Sequence, residues 1–167
     1  PKTKKFLDVH MMVLDPEELV EPFARAGADN ITFHIEATED PEKVIDLIRS
    51  CGCKVGISVK PQTSLNEIFP LLDKIDIVLL MSVDPGFGGQ GYLPGSNERI
   101  AAIKKFLSDN CLERVLIEVD GGIKLHNAKE VLMAGADILV AGSEVFGAPQ
   151  PVKIIKDFYQ LSNGISN

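Results

Sequence analysis

Hydrophobic and polar positions along this chain change period again and again. Short apolar or alternating runs, the period of a strand, give way to segments with apolar residues three and four apart, the period of a helix. Phe6–Met11, Asn30–Ile35, Lys54–Val59, Ile77–Val83, Val115–Val119 and Ile138–Ala141 read as strands. Ile77-Val78-Leu79-Leu80-Met81 is apolar at every position, as in a parallel strand covered on both faces. Between the strands lie helical patterns. Asp15-Pro16-Glu17-Glu18 opens one that runs to about Ala26 and ends at Gly27, with proline at the first helical position. Asp40-Pro41-Glu42 opens the next, whose Val44, Ile45, Leu47 and Ile48 share one face. Ser64 to Leu72 reads as a third, Ser64 capping it and Glu67 closing the box. Asn97–Leu107, Leu125–Ala134 and Val152–Leu161 follow, and residues 162–167 read as a frayed tail.

Two tripeptides repeat, Gly27-Ala28-Asp29 and Gly135-Ala136-Asp137, each ending a helix and leading into a strand. Such a repeat suggests one βα unit used over and over. Six units in 167 residues give about 28 residues each, close to the roughly 30 of an eight-unit barrel of roughly 250 residues. An open doubly wound sheet and a (β/α)8 barrel both fit an alternation of this kind. In the open sheet, ligand groups gather at one switch point. Here His10, His34 with Glu36, Lys60, Met81 with the glycine turn, Asp120, and Gly142-Ser143 close nearly every strand, as in a barrel. The expectation is therefore a single α/β domain over 1–167 of the TIM-barrel type. It would hold strands three to eight and lack two units at the front, and the absence of Met at position 1 fits a fragment or processed chain.

Composition narrows the partners. A net charge of −7 argues against nucleic acid, which demands a neutralising basic surface. The longest apolar run, Ile75 to Val83, is interrupted by Asp76 and Ser82 and is too short for a bilayer. No signal-peptide core follows the basic N-terminus. Cys51, Cys53 and Cys111 lack metal-site spacing and read as reduced thiols of a cytosolic protein.

The chemistry concentrates at strand ends. Asp84-Pro85-Gly86-Phe87-Gly88-Gly89-Gln90 is a glycine-rich turn between strand and helix, suited either to bending the chain or to holding an oxyanion on bare N–H groups. Gly121-Gly122 and Gly142-Ser143 recur at the same structural position, where barrels often bind phosphate after strands seven and eight. Gly88 and Gly89 from the preceding strand complete that cradle, and Ser143–Phe146 reads as the short extra helix. Asp120 ends a mostly apolar strand beside two glycines, as a general base, a metal ligand or a turn cap. His10 is a satisfied structural histidine or a ligand, with Asp8 two residues earlier on the same face. Met11 or Met12, with Met81, lines a soft apolar wall or belongs to the core. His34 and Glu36 form a supporting shell or a hydrogen-bonded pair, and His126 is a surface residue.

The stretches Phe6–Met12, Met81–Gln90, Val119–Gly122 and Val140–Ser143 resemble ribulose-phosphate 3-epimerases, in order and through essentially the whole chain. The resemblance implies interconversion of D-ribulose 5-phosphate and D-xylulose 5-phosphate in the pentose phosphate pathway. It implies proton transfer at C3 between two aspartates through a cis-enediolate, assisted by zinc, ferrous iron, manganese or cobalt. By the same resemblance His10 and Asp120 are metal ligands and Asp120 is one catalytic aspartate. Met12 and Met81 then line the intermediate, and Gly86, Phe87, Gly88, Gly89, Gly121, Gly122, Gly142 and Ser143 bind substrate. Lys60 stands where many members carry asparagine. A homodimer or larger homo-oligomer is implied too. The remaining ligands and the second aspartate would belong to the absent front, so these 167 residues alone are expected to be inactive. Two alternatives are an epimerase for allulose 6-phosphate and a truncated, non-catalytic binding or assembly module.

Overall fold

The computed structural model describes residues 3–86 and 89–163, with the backbone alone for Ser162 and Asn163. Six strands form one sheet in sequence order: β1 (Asp8–Met11), β2 (Asn30–His34), β3 (Lys54–Val59), β4 (Ile77–Met81), β5 (Leu116–Asp120) and β6 (Ile138–Val140). Every pair is parallel. Helices α1 (Glu17–Ala26), α2 (Pro41–Ser50), α3 (Ser96–Asp109), α4 (Leu125–Met133), α5 (Gly142–Phe146) and α6 (Pro151–Asn163) complete the alternation. Among the described residues β1 and β6 each pair on one side only, and no helix is long and apolar enough to cross a membrane.

The sheet is strongly curled. Strands β1 and β5 stand four places apart, roughly 19 Å in a flat sheet at about 4.8 Å per place. Yet His10 Nδ1 on β1 lies 3.6 Å from Asp120 Oδ2 on β5. The expected α/β architecture is present as an arc of parallel barrel. Alternation along each strand assigns the faces. Ile31, Phe33, Val55, Ile57, Val59, Val78, Leu80, Ile117 and Val119 are buried in one cluster with Val20, Val44, Ile48, Ile100, Ile103 and Val131 of the helices, and define the convex side. Leu79 and Met81 belong to a separate small cluster with Val83 on the concave side. Their same-face neighbours there are polar: His10, Thr32, His34, Ser58, Glu118 and Asp120.

The repeated tripeptides have a shared task. Gly27 and Gly135 end their helices with φ of 105° and 118°, a conformation that suits glycine. The aspartates that follow each clasp the preceding strand. Asp29 accepts from Leu7 N–H at 2.7 Å and Asp137 from Ile117 N–H at 2.9 Å, while their own N–H groups donate back to the same residues' carbonyls. Asp76 makes the same closed pair with Val55, a third copy that lacks the Gly-Ala prefix.

Three expectations need correction. Ser64–Leu72 is not an α-helix but two 3₁₀ segments, Leu65–Glu67 and Phe69–Lys74. Pro70 has no N–H for an i−4 carbonyl, and the chain closes i−3 bonds such as Leu71 N–H to Ile68 O at 2.9 Å. Asp15 caps nothing, since α1 starts from Pro16 without a side-chain cap; Asp40 does cap α2, accepting from Lys43 N–H at 3.1 Å. The tail stays helical through Asn163, and residues 164–167 lie outside the described ones. Strand ends elsewhere differ from expectation by a residue or two, β4 stopping at Met81.

Candidate active site

A cleft of about 260 Å³ opens at the carboxyl ends of β4, β5 and β6. Asp120 stands in it with Met81 of β4 and Met12 from the loop after β1. Gly121, Gly122, Gly142, Ser143, Gly86 and Gly89 line it as well. Phe87 and Gly88 lie outside the described residues. The cleft thus gathers every expected site residue that is described, save one. His10 does not line it, and meets it only through Asp120 at 3.6 Å. Met11 belongs to the convex core, 3% exposed, whereas Met12 is 50% exposed.

Ser82, which sequence reading passed over, shapes the β5 end of the cleft. Its N–H donates to Asp120 O at 2.9 Å, and its hydroxyl lies 3.0 Å from Asp120 O and 2.6 Å from Gly121 O. Because a trans peptide points its C=O and N–H in opposite directions, fixing these two carbonyls turns the N–H groups of Gly121 and Gly122 away from Ser82. A Cβ on Gly122 would meet Tyr92 N at 2.3 Å, and its φ is 64°. One on Gly121 would meet Val83 Cγ2 at 2.5 Å. Both positions are therefore closed to side chains. The glycine-rich turn is pinned as well: Gln90 donates to Asp84 O at 2.7 Å and Gln62 to Asp84 Oδ1 at 2.9 Å.

Deeper in the arc, Glu118 is 4% exposed and its Oε2 has no partner among the described residues. Burial, the negative charges of Asp8 and Asp120, and a hydrogen bond with Asp8 push its pKa up to about 8. His34 on β2 contacts His10, Nε2 to Nε2, at 2.9 Å, and Glu36 Oε2 stands 3.3 Å from His34 Nδ1. His126 is exposed, as expected of a surface residue. Neither Ser82 nor the Asp8–Glu118 contact has a local sequence signal, since each partner lies on another strand.

His10 and Asp120 suit a divalent metal. Two ligand atoms about 2.1 Å from a tetrahedral ion stand roughly 3.4 Å apart, close to the 3.6 Å found. They are two ligands only, and no group of three or more His, Cys, Asp or Glu side chains converges among the described residues.

The model of the Ribulose-phosphate 3 epimerase family matches residues 1–146. The ribulose-phosphate 3-epimerase of Buchnera aphidicola subsp. Schizaphis graminum is 45% identical over 150 residues, covering 90% of this chain and 65% of the relative. That of Serratia marcescens is 45% identical over 143 residues, 86% of this chain and 68% of the relative. The Escherichia coli K12 enzyme is 41% identical over 151 residues, 90% and 67%. The chain thus spans about two thirds of the length of these relatives. Among solved structures, KGPDC from Streptococcus mutans superposes with a TM-score of 0.72 at 17% identity, covering 98% of this chain and 74% of that one. A 3-hexulose-6-phosphate synthase does so with 0.69 at 21% identity, covering 94% and 73%. At such identities these two speak for the fold alone.

Proposed function

The chain belongs to the ribulose-phosphate 3-epimerase family, and we propose that it carries part of a site that interconverts D-ribulose 5-phosphate and D-xylulose 5-phosphate by inverting C3. The observation that carries this reading is a single cleft lined by Asp120, Met81 and the glycines of three strand ends together. At about 260 Å³ it lies just under the roughly 300–1,000 Å³ of pockets for drug-sized ligands, which suits a small sugar phosphate.

The phosphate rests on Gly121, Gly122, Gly142 and Ser143, whose N–H groups stabilise its negative oxygens. With the phosphate fixed, the sugar carbons lie toward Asp120. Its carboxylate takes the C3 proton, the C3–H electron pair forms the double bond to the carbonyl carbon, and the carbonyl π pair moves onto oxygen. Met12 and Met81 exclude water from the planar intermediate and offer no proton that would compete. A divalent ion held by His10 and Asp120 would polarise the ketone oxygen and lower the barrier to losing that proton. Inversion requires a proton returned to the opposite face. Asp84, the other carboxylate at the cleft, is an exposed loop residue tied to Gln62. We therefore propose that these 167 residues alone do not epimerise. Activity of this chain by itself, with metal supplied, would refute that.

The reading places the protein in the pentose phosphate pathway. Its three free cysteines favour a reducing, cytosolic setting. A homodimer or larger assembly is part of the proposal, read out by sedimentation. The substrate is tested by a panel on the full-length natural protein. Ribulose 5-phosphate should turn over at least tenfold better than allulose 6-phosphate, and the reverse order would replace the pentose with the hexose.

A further inference from the structure

His34 and Glu36 lie beside the cleft, on a second cavity of about 230 Å³ that shares Met12, Pro85 and Gly86 with it. They join the cleft to the loop after β3 through a continuous row of contacts. His34 is 4% exposed at the end of β2. Its Nε2 lies 2.9 Å from His10 Nε2, with the ring centroids 4.9 Å apart and tilted by 31°. Its Nδ1 faces Glu36 Oε2 at 3.3 Å, and Glu36 Oε1 accepts from Lys60 N–H at 2.8 Å. Burial opposes ionisation of Glu36, but hydrogen bonds from His34, Thr63 and the N–H groups of Lys60 and Glu36 outweigh it and hold its pKa down to about 2. Arg99 donates to the carbonyls of Lys60 and Thr63 at 3.1 and 2.9 Å, fixing the loop that carries those donors.

The row of contacts dictates proton positions. An ionised Glu36 can only accept, so His34 Nδ1 carries a proton and donates. With that proton on Nδ1, His34 Nε2 is the acceptor of the pair and His10 donates from its own Nε2. That leaves a bare lone pair on His10 Nδ1, facing Asp120 Oδ2 at 3.6 Å, beyond hydrogen-bond distance.

We propose that Glu36 and His34 are positioning residues that set the tautomer of His10, so that His10 Nδ1 and the Asp120 carboxylate face one another as two lone-pair donors for a divalent cation. The inference rests on the metal reading of that pair, whereas the tautomer belongs to the metal-free protein. Partners of this kind, one bond behind a ligand, are worth about 10–100-fold in metal affinity.

The test uses the full-length natural protein without metal, its histidines labelled with nitrogen-15 and His10 assigned by the loss of its signals in His10→Gln. The expected spectrum shows His10 protonated at Nε2 and bare at Nδ1; a proton on Nδ1 overturns the proposal. Zinc affinity by chelator competition then gives a second, independent readout. His34→Leu should weaken zinc about 10–100-fold. His34→Gln, whose amide oxygen still accepts from His10, should recover most of that. Equal losses in both variants, or none in either, would overturn the positioning role and leave the ligand pair standing. Wild-type protein with the expected tautomer but no zinc binding would instead sink the metal reading. Should either variant fail to fold, the wild-type spectrum still decides.

Discussion

On the convex face of the sheet, Ile31, Phe33, Val55, Ile57, Val78, Leu80, Ile117 and Val119 are buried under helices. One residue along in the strands, the concave face carries Thr32, His34, Ser58, Glu118 and Asp120, joined by His10 from β1. The two faces share one backbone and alternate residue by residue within each strand. The convex face gains stability from apolar burial. The concave face buries polar atoms, and Asn30 Oδ1, Ser58 Oγ and Glu118 Oε2 lack partners among the described residues, which costs stability. Substitutions on the two faces should therefore fail in different ways: by unfolding on one, by lost chemistry on the other.

The hardest blow to that division would come at Phe33, fully buried on the convex side. In the full-length natural protein Phe33→Ala should cost about 3–5 kcal/mol in denaturant unfolding while kcat of the folded fraction stays within a few-fold of wild type. A matching collapse of kcat would mean the faces are not separable. Gly122→Ala comes next, because its Cβ meets Tyr92 N at 2.3 Å. Backbone strain there costs about 1–3 kcal/mol, and we expect KM to rise about tenfold or more as the phosphate-facing N–H groups shift. Unaltered KM would remove this turn from the phosphate cradle. Ser82→Ala should cost about 1–3 kcal/mol by leaving buried carbonyls of Asp120 and Gly121 without that donor. Its KM should rise more than its kcat falls, and Ser82→Cys, which keeps a weak donor, should recover part of the loss.

Two carboxylates with opposite shifts carry the pH dependence. Glu118 has a folded pKa near 8 against an ordinary 4.5, so the folded state binds the extra proton between those values. Its contribution is present below about pH 4.5 and is lost as pH rises through about 8. Glu36, lowered from 4.5 to about 2, contributes above 4.5 and loses that contribution as pH falls toward 2. Unfolding free energies across pH should therefore flatten between pH 5 and 8 in Glu118→Gln and below pH 4.5 in Glu36→Gln. The same slope change in both variants would contradict the assignment.

Much of this was legible in the chain itself. The strands announced themselves by apolar runs, and Asp120-Gly121-Gly122 and Gly142-Ser143 fell at strand ends because an abrupt change from apolar residues to glycine is a local signal. What escaped depends on curl and on long-range pairing. Ser82 looked like a mere interruption of an apolar run, since its acceptors lie 38 and 39 residues on. The Glu36–Lys60 clasp spans 24 residues, and Asp8 meets Glu118 only because the sheet bends round. Ser64–Leu72 misled because its cap and apolar spacing read as a helix, while Pro70 withheld the N–H that an α-helical turn requires. Asp76 repeats the clasp of Asp29 and Asp137 without the Gly-Ala prefix, so no repeated tripeptide marks it.

The most direct test of the account follows hydrogen at C3. Full-length natural protein, loaded with metal and given ribulose 5-phosphate in heavy water, should place deuterium at C3 and form xylulose 5-phosphate. Asp120→Asn should slow both by at least about 100-fold, the low end for removal of a positioned acid or base, with its unfolding midpoint close to wild type. Epimerisation without deuterium at C3, or an Asp120→Asn variant that exchanges at the wild-type rate, would contradict the central claim that Asp120 moves the C3 proton.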